Sequence, residues 1–359
     1  MMIIDRYVVK NYLRYQIVAL AVLVFIYVII NLFDNLGRYL ARNIPARDIA
    51  LLYLYQIPWY IVLLLPVAAI IGVFFIFGFM TKHRELIALK SSGMDIFRLV
   101  GIILALGAIT AAFSFGFHET VGIWAQNRLF EHRVQKIDKR PLPADELRRN
   151  IFYYGIGDWL YYIREFDPVG YRMRGVTLWL IAPDQSIRRR IDAESGAYHD
   201  AWTFYNATVR DFDSLGNETV MGGQTVNMPE LKERPRDFLK RIKPVEEMNF
   251  LEIGRFVSQR SRAGENVNRE QVELYYRFSR PLITLILLLI CLPLSLALKK
   301  GGIAIGLGVS FLLAFTYWGL IQSCLAYGAA GAMTPLLAAW LPNIIFGAIA
   351  CFTALRIRR

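Results

Sequence analysis

The chain has 359 residues, 55% of them hydrophobic, and a net charge of +12 from 41 lysines and arginines against 29 aspartates and glutamates. So basic a chain would suit a nucleic-acid partner if its cations were pooled, but they bracket long uncharged runs, which excludes nucleic acid and points to a membrane protein. All three cysteines, Cys291, Cys324 and Cys351, fall in those runs, so the polar part of the chain relies on its own core rather than on disulfides.

No Asp, Glu, Lys, Arg or His occurs in 15–33, 49–81, 99–117, 281–298 or 301–355. A helix needs about 20 apolar residues to cross a hydrocarbon core of about 30 Å. Each of the first four runs reaches or nears that length, and the last crosses twice by turning back through 328–335. The first run follows Arg6, Lys10 and Arg14 as a signal peptide would, but it is too long and ends in Phe33-Asp34-Asn35 rather than at small residues, so it stays as an anchor. The fold expected is an α-helical membrane protein of six transmembrane helices with an inserted all-β domain. Spans one to three occupy 1–118, the soluble block 119–280, and spans four to six 281–359. Arg6, Lys10, Arg14, Lys82, Arg84, Lys90, Arg98, Lys299, Lys300, Arg356, Arg358 and Arg359 fall on one side, and the short loops of the other side hold only Arg38, Arg42 and Arg47. This bias puts both termini inside and the soluble block outside.

Past the first span, Asp34, Arg38 and Arg42 are spaced by four, on one face of a helical extension. Arginines there either snorkel or meet lipid phosphates as bidentate donors. The inside loop 82–98 mixes Leu86, Ile87 and Leu89 with charges and breaks at Ser92-Gly93, which predicts a short amphipathic helix near 82–98 at the membrane surface. Such a helix either anchors its own loop or docks a partner. Arg128 and Arg133 lie where the third span leaves the bilayer and offer phosphate contacts from another side.

In the soluble block, 151–228 is rich in aromatic and β-branched residues punctuated by turn formers, the pattern of an antiparallel sandwich or open barrel. Val176, Leu178 and Leu180 alternate with Thr177, Trp179 and Ile181, apolar on both faces. That suits either a strand in a two-sheet core or the wall of a greasy groove. After Pro244 the period becomes helical, with Asn249 and Glu252 placed as a capping box, a stop near Gly264, and a second helix from Asn268 leading to the fourth span.

Catalytic candidates are few. The spans hold no ionisable group for a proton relay or an aspartyl site, no phosphate-binding glycine loop is present, and none of the four histidines is paired at metal-ligand spacing. No catalytic residue, metal or cofactor is expected. Two readings of other classes remain: a membrane-anchored scaffold or receptor without transport activity, and a lipid-modifying enzyme using His118, Glu119 or His199.

Ile4-Asp-Arg-Tyr7, Phe33-Asp34, Pro66, Arg84-Glu-Leu-Ile-Ala-Leu-Lys-Ser-Ser-Gly93, the capped helix from Asn249 and the approach Tyr276 to Pro281 resemble the lipopolysaccharide-export permeases of the LptF/LptG (YjgP/YjgQ) family over the whole chain. Asp5 and Asp34 lean toward the LptG member of that pair. The resemblance implies a permease subunit of an ABC exporter whose outside domain is jellyroll-like and passes lipopolysaccharide to a periplasmic bridge. The partners implied are a cytoplasmic ATPase dimer (LptB-like), a second permease (LptF-like), a single-span bridge protein (LptC-like), a soluble bridge protein (LptA-like) and lipopolysaccharide itself. It implies a Gram-negative inner-membrane location. Arg84, Glu85, Leu86, Ser92 and Gly93 would form the ATPase-coupling helix, with Glu85 paired to a basic residue of the ATPase. Asp34, Arg38, Arg42, Arg128 and Arg133 would hold the lipid phosphates, and an open apolar groove in the β domain would shield the acyl chains. The lipid would enter between the first span of one permease and the fifth of the other, with Gly301, Gly302, Gly306, Gly308 and Gly319 allowing the fifth span to pack closely and shift.

Overall fold

The computed structural model describes residues 3–93, 95–138, 148–182, 184, 186–213, 216–239, 243–262, 265–297 and 302–357. Gly264, Lys299, Lys300, Gly301, Arg358 and Arg359 lie outside the described residues. In chain order the elements begin with helices α1 (Ile3–Ala41), α2 (Ala46–Lys82), α3 (Glu85–Ser91), α4 (Ile96–Phe117) and α5 (Ile123–His132). Strands β1 (Arg148–Tyr154), β2 (Trp159–Asp167), β3 (Arg172–Ile181), β4 (Ile187–Tyr198), β5 (Trp202–Phe212) and β6 (Glu218–Met228) follow. Helices α6 (Pro235–Leu239), α7 (Phe250–Arg262), α8 (Asn268–Ser279), α9 (Leu282–Ala297), α10 (Gly302–Ala329) and α11 (Pro335–Ile357) complete the chain. By contact it forms two compact units, Arg133–Lys243 alone and Met1–His132 with Pro244–Arg359. Residues 119–132 and 244–280 therefore group with the spans, whereas the sequence pattern joins them to the strands.

Among the described residues five helices are long and apolar enough to cross a membrane, or six when α8 and α9, bent by 49°, count as one span. Pro281 explains the bend, because it lacks an N–H and its ring crowds the carbonyl of Arg277. The break is stitched to the last two spans: Asn343 Nδ2 donates to Ser279 O at 2.8 Å, and Tyr317 Oη donates to Asn343 Oδ1 at 2.6 Å. The turn from α1 to α2 is closed by Ile44 N–H to Tyr39 O, with Asn43 left-handed at φ 50° and Pro45 starting the next helix. Asp95 Oδ1 caps α4 by accepting from Phe97 N at 2.8 Å. The capping box of α7 is made as the spacing predicts, with Glu252 N donating to Asn249 Oδ1 and Asn249 N to Glu252 Oε2.

α2 is the centre of the helical unit, with buried residues along most of its length, and α1, α9 and α10 pack against it. Small residues set the closest approaches: Gly306 of α10 lies against Phe74, Gly107 of α4 against Leu288, and Gly328 of α10 against Ala338 and Val272. Of the expected fifth-span glycines, Gly306 makes such a contact, while a Cβ added at Gly308 or Gly319 would meet no neighbouring element within 4 Å.

The second unit is one antiparallel sheet in the order β1-β2-β3-β4-β5-β6. The all-β insertion holds, but the described strands form a meander without the crossovers of a jellyroll. Their registers explain how one sheet encloses a core of its own. Asn150, Arg164, Gly175, Glu194, Asn206 and Gln224 fall on a single row across all six strands by the pairings on either side. Asn150, Gly175 and Asn206 on that row are left-handed, at φ 54°, 60° and 50°. The buried face changes parity there: Tyr161 and Ile163 then Phe166; Met173 then Val176 and Leu178; Ile191 and Ala193 then Gly196; Trp202 and Phe204 then Ala207 and Val209. One residue out of phase in each of β2 to β5 creases the sheet, so both halves turn their apolar side to the same interior. The expected sandwich core is thus made by a fold line, not by two sheets.

That interior is filled. Phe238 of α6 lies 5.0–5.8 Å, ring to ring, from Tyr153, Tyr161, Phe166 and Trp202. Leu231 joins the same cluster. Glu233, 1% exposed, locks the segment down: its carboxylate accepts from Ile156 N and Tyr161 Oη, and its carbonyl accepts from Trp202 Nε1 at 2.7 Å. The open apolar groove expected from the two-faced strands is occupied here by the chain's own residues. Val176 and Leu178 point into the core, whereas Thr177 and Trp179 are half-buried on the outer face.

Candidate functional site

The inside loop is a separate tile between two left-handed residues. Arg84 (φ 61°) precedes α3 and Gly93 (φ 77°) follows it. Only glycine adopts that conformation without steric cost, which accounts for the second break. α3 buries Leu86 among Val8, Tyr12, Phe77, Met80 and Leu99, and exposes Ile87. Glu85 receives the Tyr7 hydroxyl at 3.1 Å on one oxygen and 3.3 Å on the other. A carboxylate has about four lone-pair directions, so Glu85 keeps acceptor capacity for another donor. Ser92 Oγ donates back to Leu89 O at 2.9 Å and closes the last turn. The structure thus gathers Arg84, Glu85, Leu86, Ser92 and Gly93 into one short surface element.

At the other end of α1, Asp34 and Arg38 are exposed on the last turns and Arg42 is exposed in the turn that follows. This helix runs about 58 Å at 1.5 Å per residue, well beyond its uncharged stretch, so the three residues stand on a rigid extension. α5 packs on α2, with Trp124 edge-on to Tyr55 at 6.1 Å and His132 Nε2 at 2.8 Å from Asp48 O. It carries Arg128, which pairs with Glu131 at 3.0 Å at a site more than half exposed. Such a pair contributes little to stability and yields readily to a stronger anion. Arg133 is exposed and belongs to the second unit. Asp34, Arg38 and Arg42 are therefore gathered, whereas Arg128 and Arg133 stand on other elements.

A third cluster contains His118 and Glu119, expected only as candidates of an enzyme reading, and joins them to Arg277 and Arg280, which no sequence expectation linked to them. Where α4 ends, 118–122 widens into a π-helical turn, a distortion frequent at functional positions. It turns Glu119 onto Arg277, whose Nη1 donates to Glu119 Oε1 at 2.9 Å while its Nη2 donates to Val245 O at 2.8 Å. Glu119 also accepts from Phe250 N at 2.9 Å. His118 joins through both ring nitrogens: Nδ1 is 3.3 Å from Glu119 Oε1 and Nε2 is 3.0 Å from Arg280 Nη2. Guanidinium groups only donate, so Nε2 accepts and Nδ1 carries the proton toward Glu119. Arg280 also lies over the Tyr276 ring at 5.3 Å. The only sequence cue is that these charges stand at the ends of apolar runs, where ionisable groups are expensive unless paired.

This arrangement joins helices; it does not gather a catalytic set. Glu119 is engaged by Arg277 and Phe250, and His199 is exposed in the β4–β5 turn of the other unit. Among the described residues no group of three His, Cys, Asp or Glu is placed to hold a metal.

The profile of the family described as lipopolysaccharide export system permease LptF/LptG matches residues 6–356, which takes in all the spans and the sheet. No curated protein gives a significant match. A bundle of apolar helices interrupted by one antiparallel sheet and matched across almost its whole length leaves one assignment: the chain belongs to the LptF/LptG family of lipopolysaccharide export permeases, multi-pass transporter subunits of the inner membrane.

Proposed function

We propose that the chain is a transmembrane subunit of an ABC exporter that takes lipopolysaccharide from the outer leaflet of the inner membrane and passes it to a periplasmic bridge. The observation that carries this reading is the unbroken family match over 6–356. Both termini are cytoplasmic and the β unit is periplasmic, the orientation that the lysines and arginines beside the spans favour. A partner ATPase dimer supplies the energy, docking on the 84–93 element with Glu85 as its acceptor for a basic side chain. A second permease of the family completes the cavity, and a single-span and a soluble bridge protein receive the lipid. Asp5 and Asp34 favour the LptG side of the family.

Arg38 and Arg42 hold lipid phosphates as bidentate donors, joined by Arg128 and Arg133, with Asp34 ordering the first two along the helix face. The apolar faces of α1 and α10 are exposed, including Ile17, Phe25, Phe33, Leu312 and Phe315, and these line the lateral route between two permeases. Replacing Arg38 and Arg42 together by Ala tests the site: lipid cross-linking and export fall while subunit recovery stays at the wild-type level. Unchanged export removes both residues from it. Glu85→Ala should lower recovery of the ATPase, and full recovery with normal hydrolysis would sink the docking assignment.

A further inference from the structure

The inner end of α1 is tied to both ends of the inside loop. Tyr7 Oη reaches Glu85 at the start of α3, and Arg98 Nη2, in the first turns of α4, reaches Asp5 Oδ2 at 2.7 Å. Asp5 is 5% exposed, so this second contact is the more sheltered. Between these two ties, Leu86 packs with Val8, Tyr12 and Leu99. The backbone connections of α3 to its neighbours run through the left-handed residues Arg84 and Gly93, so its position is set more by these lateral contacts than by the chain on either side.

α1 is also built to carry a displacement. It contains no proline and a single glycine, Gly37. α2 contains Pro58 and Pro66, α9 contains Pro293, α11 contains Pro342, and α4 runs into the π-helical turn. Its buried residues are Asp5, Val8, Tyr12 and Gln16 in a stripe at the inner end, and then Tyr39. The long stretch between Gln16 and Tyr39 has no buried residue. In that stretch α1 meets α2 through partly exposed contacts, the Tyr27 ring 4.6 Å from Tyr60 and Asn31 Oδ1 accepting from Tyr53 Oη at 3.0 Å, and it has no proline at which to kink.

We propose that Tyr7 and Asp5 are positioning residues that clamp the 84–98 element to the inner end of α1, so that displacement of α3 moves α1 and the Asp34, Arg38 and Arg42 face at its outer end. Without the clamp, the hinges at Arg84 and Gly93 absorb the motion. Tyr7 holds one side of the Glu85 carboxylate and leaves its remaining acceptor directions open. The Asp5–Arg98 pair keeps the start of α4 in step with α1. The inference rests on the permease reading above.

The test uses the complex assembled with its ATPase and second permease in vesicles containing lipopolysaccharide, and follows subunit recovery, ATP hydrolysis and lipid delivered per ATP. Tyr7→Phe and Asp5→Asn should leave recovery and hydrolysis near wild type and lower delivery per ATP about fivefold or more, the usual range for loss of a coupling. Asp5→Arg alone should behave like Asp5→Asn or worse, and adding Arg98→Asp should restore much of the delivery. In whatever complex is recovered, Tyr7→Phe should add little to the loss of delivery per ATP once Glu85→Ala is present, because each change removes the same contact. Wild-type delivery per ATP in Tyr7→Phe and Asp5→Asn overturns the clamp, as does a loss that only tracks failed assembly. If the wild-type chain recovers no ATPase or moves no lipopolysaccharide, the permease reading itself falls and the clamp with it.

Discussion

Removing the Glu119 carboxylate should loosen the joint between the third and fourth spans by several kcal/mol. The pair it forms with Arg277 is among the least exposed in the described chain, with side chains 9% and 1% exposed at 2.9 Å. In Glu119→Ala, Arg277 keeps Val245 O at 2.8 Å and Glu273 at 3.7 Å, so the cation loses its closest counter-charge without losing every partner. Breaking a buried pair from one side costs about 3–5 kcal/mol. The Phe250 amide, which Glu119 accepts at 2.9 Å, loses its acceptor as well, a loss of about 1–3 kcal/mol where water cannot enter. Relief from Glu273 acts in the other direction, so about 3–5 kcal/mol is the expected total. Glu119→Ala combined with Arg277→Met should cost less than the sum of the single changes by about 1 kcal/mol or more, since the double variant leaves neither member of the pair without the other. Reversible denaturant titration in mixed micelles, read by tryptophan fluorescence, gives these differences. A Glu119→Ala protein within about 0.5 kcal/mol of wild type, or strictly additive single changes, would refute the reasoning.

Three shorter tests address the β unit. Phe238→Ala should lower its stability by about 3–5 kcal/mol, the usual loss for a buried aromatic ring, seen as faster proteolysis within 148–239 of the full-length chain; a wild-type digestion rate would show that α6 does not hold the interior shut. Gly175→Val should cost about 1–2 kcal/mol, because a side chain there is strained at positive φ and meets Arg164 Cβ at 3.0 Å. Asn206→Gly on the same row should be neutral or stabilising, and the opposite order would contradict the crease. Burial pushes the Tyr153 phenol up from 10.0 to about 12, helped by Asp237 and Glu233, and raises Tyr161 in the same sense. A raised folded-state value gives stability that is complete below pH 10 and lost as pH climbs through 12, so the unit should hold at pH 9 and open in strong alkali. Loss of near-ultraviolet circular dichroism already at pH 9 would contradict this.

The helical frame was legible because each signal is local. Uncharged runs mark the spans, Asn249 and Glu252 mark a helix start within four residues, and Ser92-Gly93 marks a break that the backbone makes at φ 77°. The meander and its crease were not legible for a reason of register. A parity switch shows only as two consecutive outward residues, such as Arg164-Glu165 or Tyr205-Asn206, which read as a ragged strand until their alignment across neighbours is known. The filled interior was hidden because Phe238 lies beyond the strands, in a five-residue helix too short to announce itself by periodicity. The Glu119–Arg277 joint links residues 158 positions apart, and nothing local to either predicts the other. The basic residues at the outer end of α1 were found by helical spacing, which holds within one helix. It could not say that Arg128 and Arg133 stand on different elements.

The central claim is that this chain works as the permease subunit of a lipopolysaccharide exporter. Its most direct test is purification of the tagged protein from its native membrane in mild detergent, with bound proteins and lipids identified by mass spectrometry. The account predicts an ABC ATPase, a second permease of the same family and lipopolysaccharide in one complex. Recovery of the chain alone, with ordinary phospholipid and no ATPase, would contradict it.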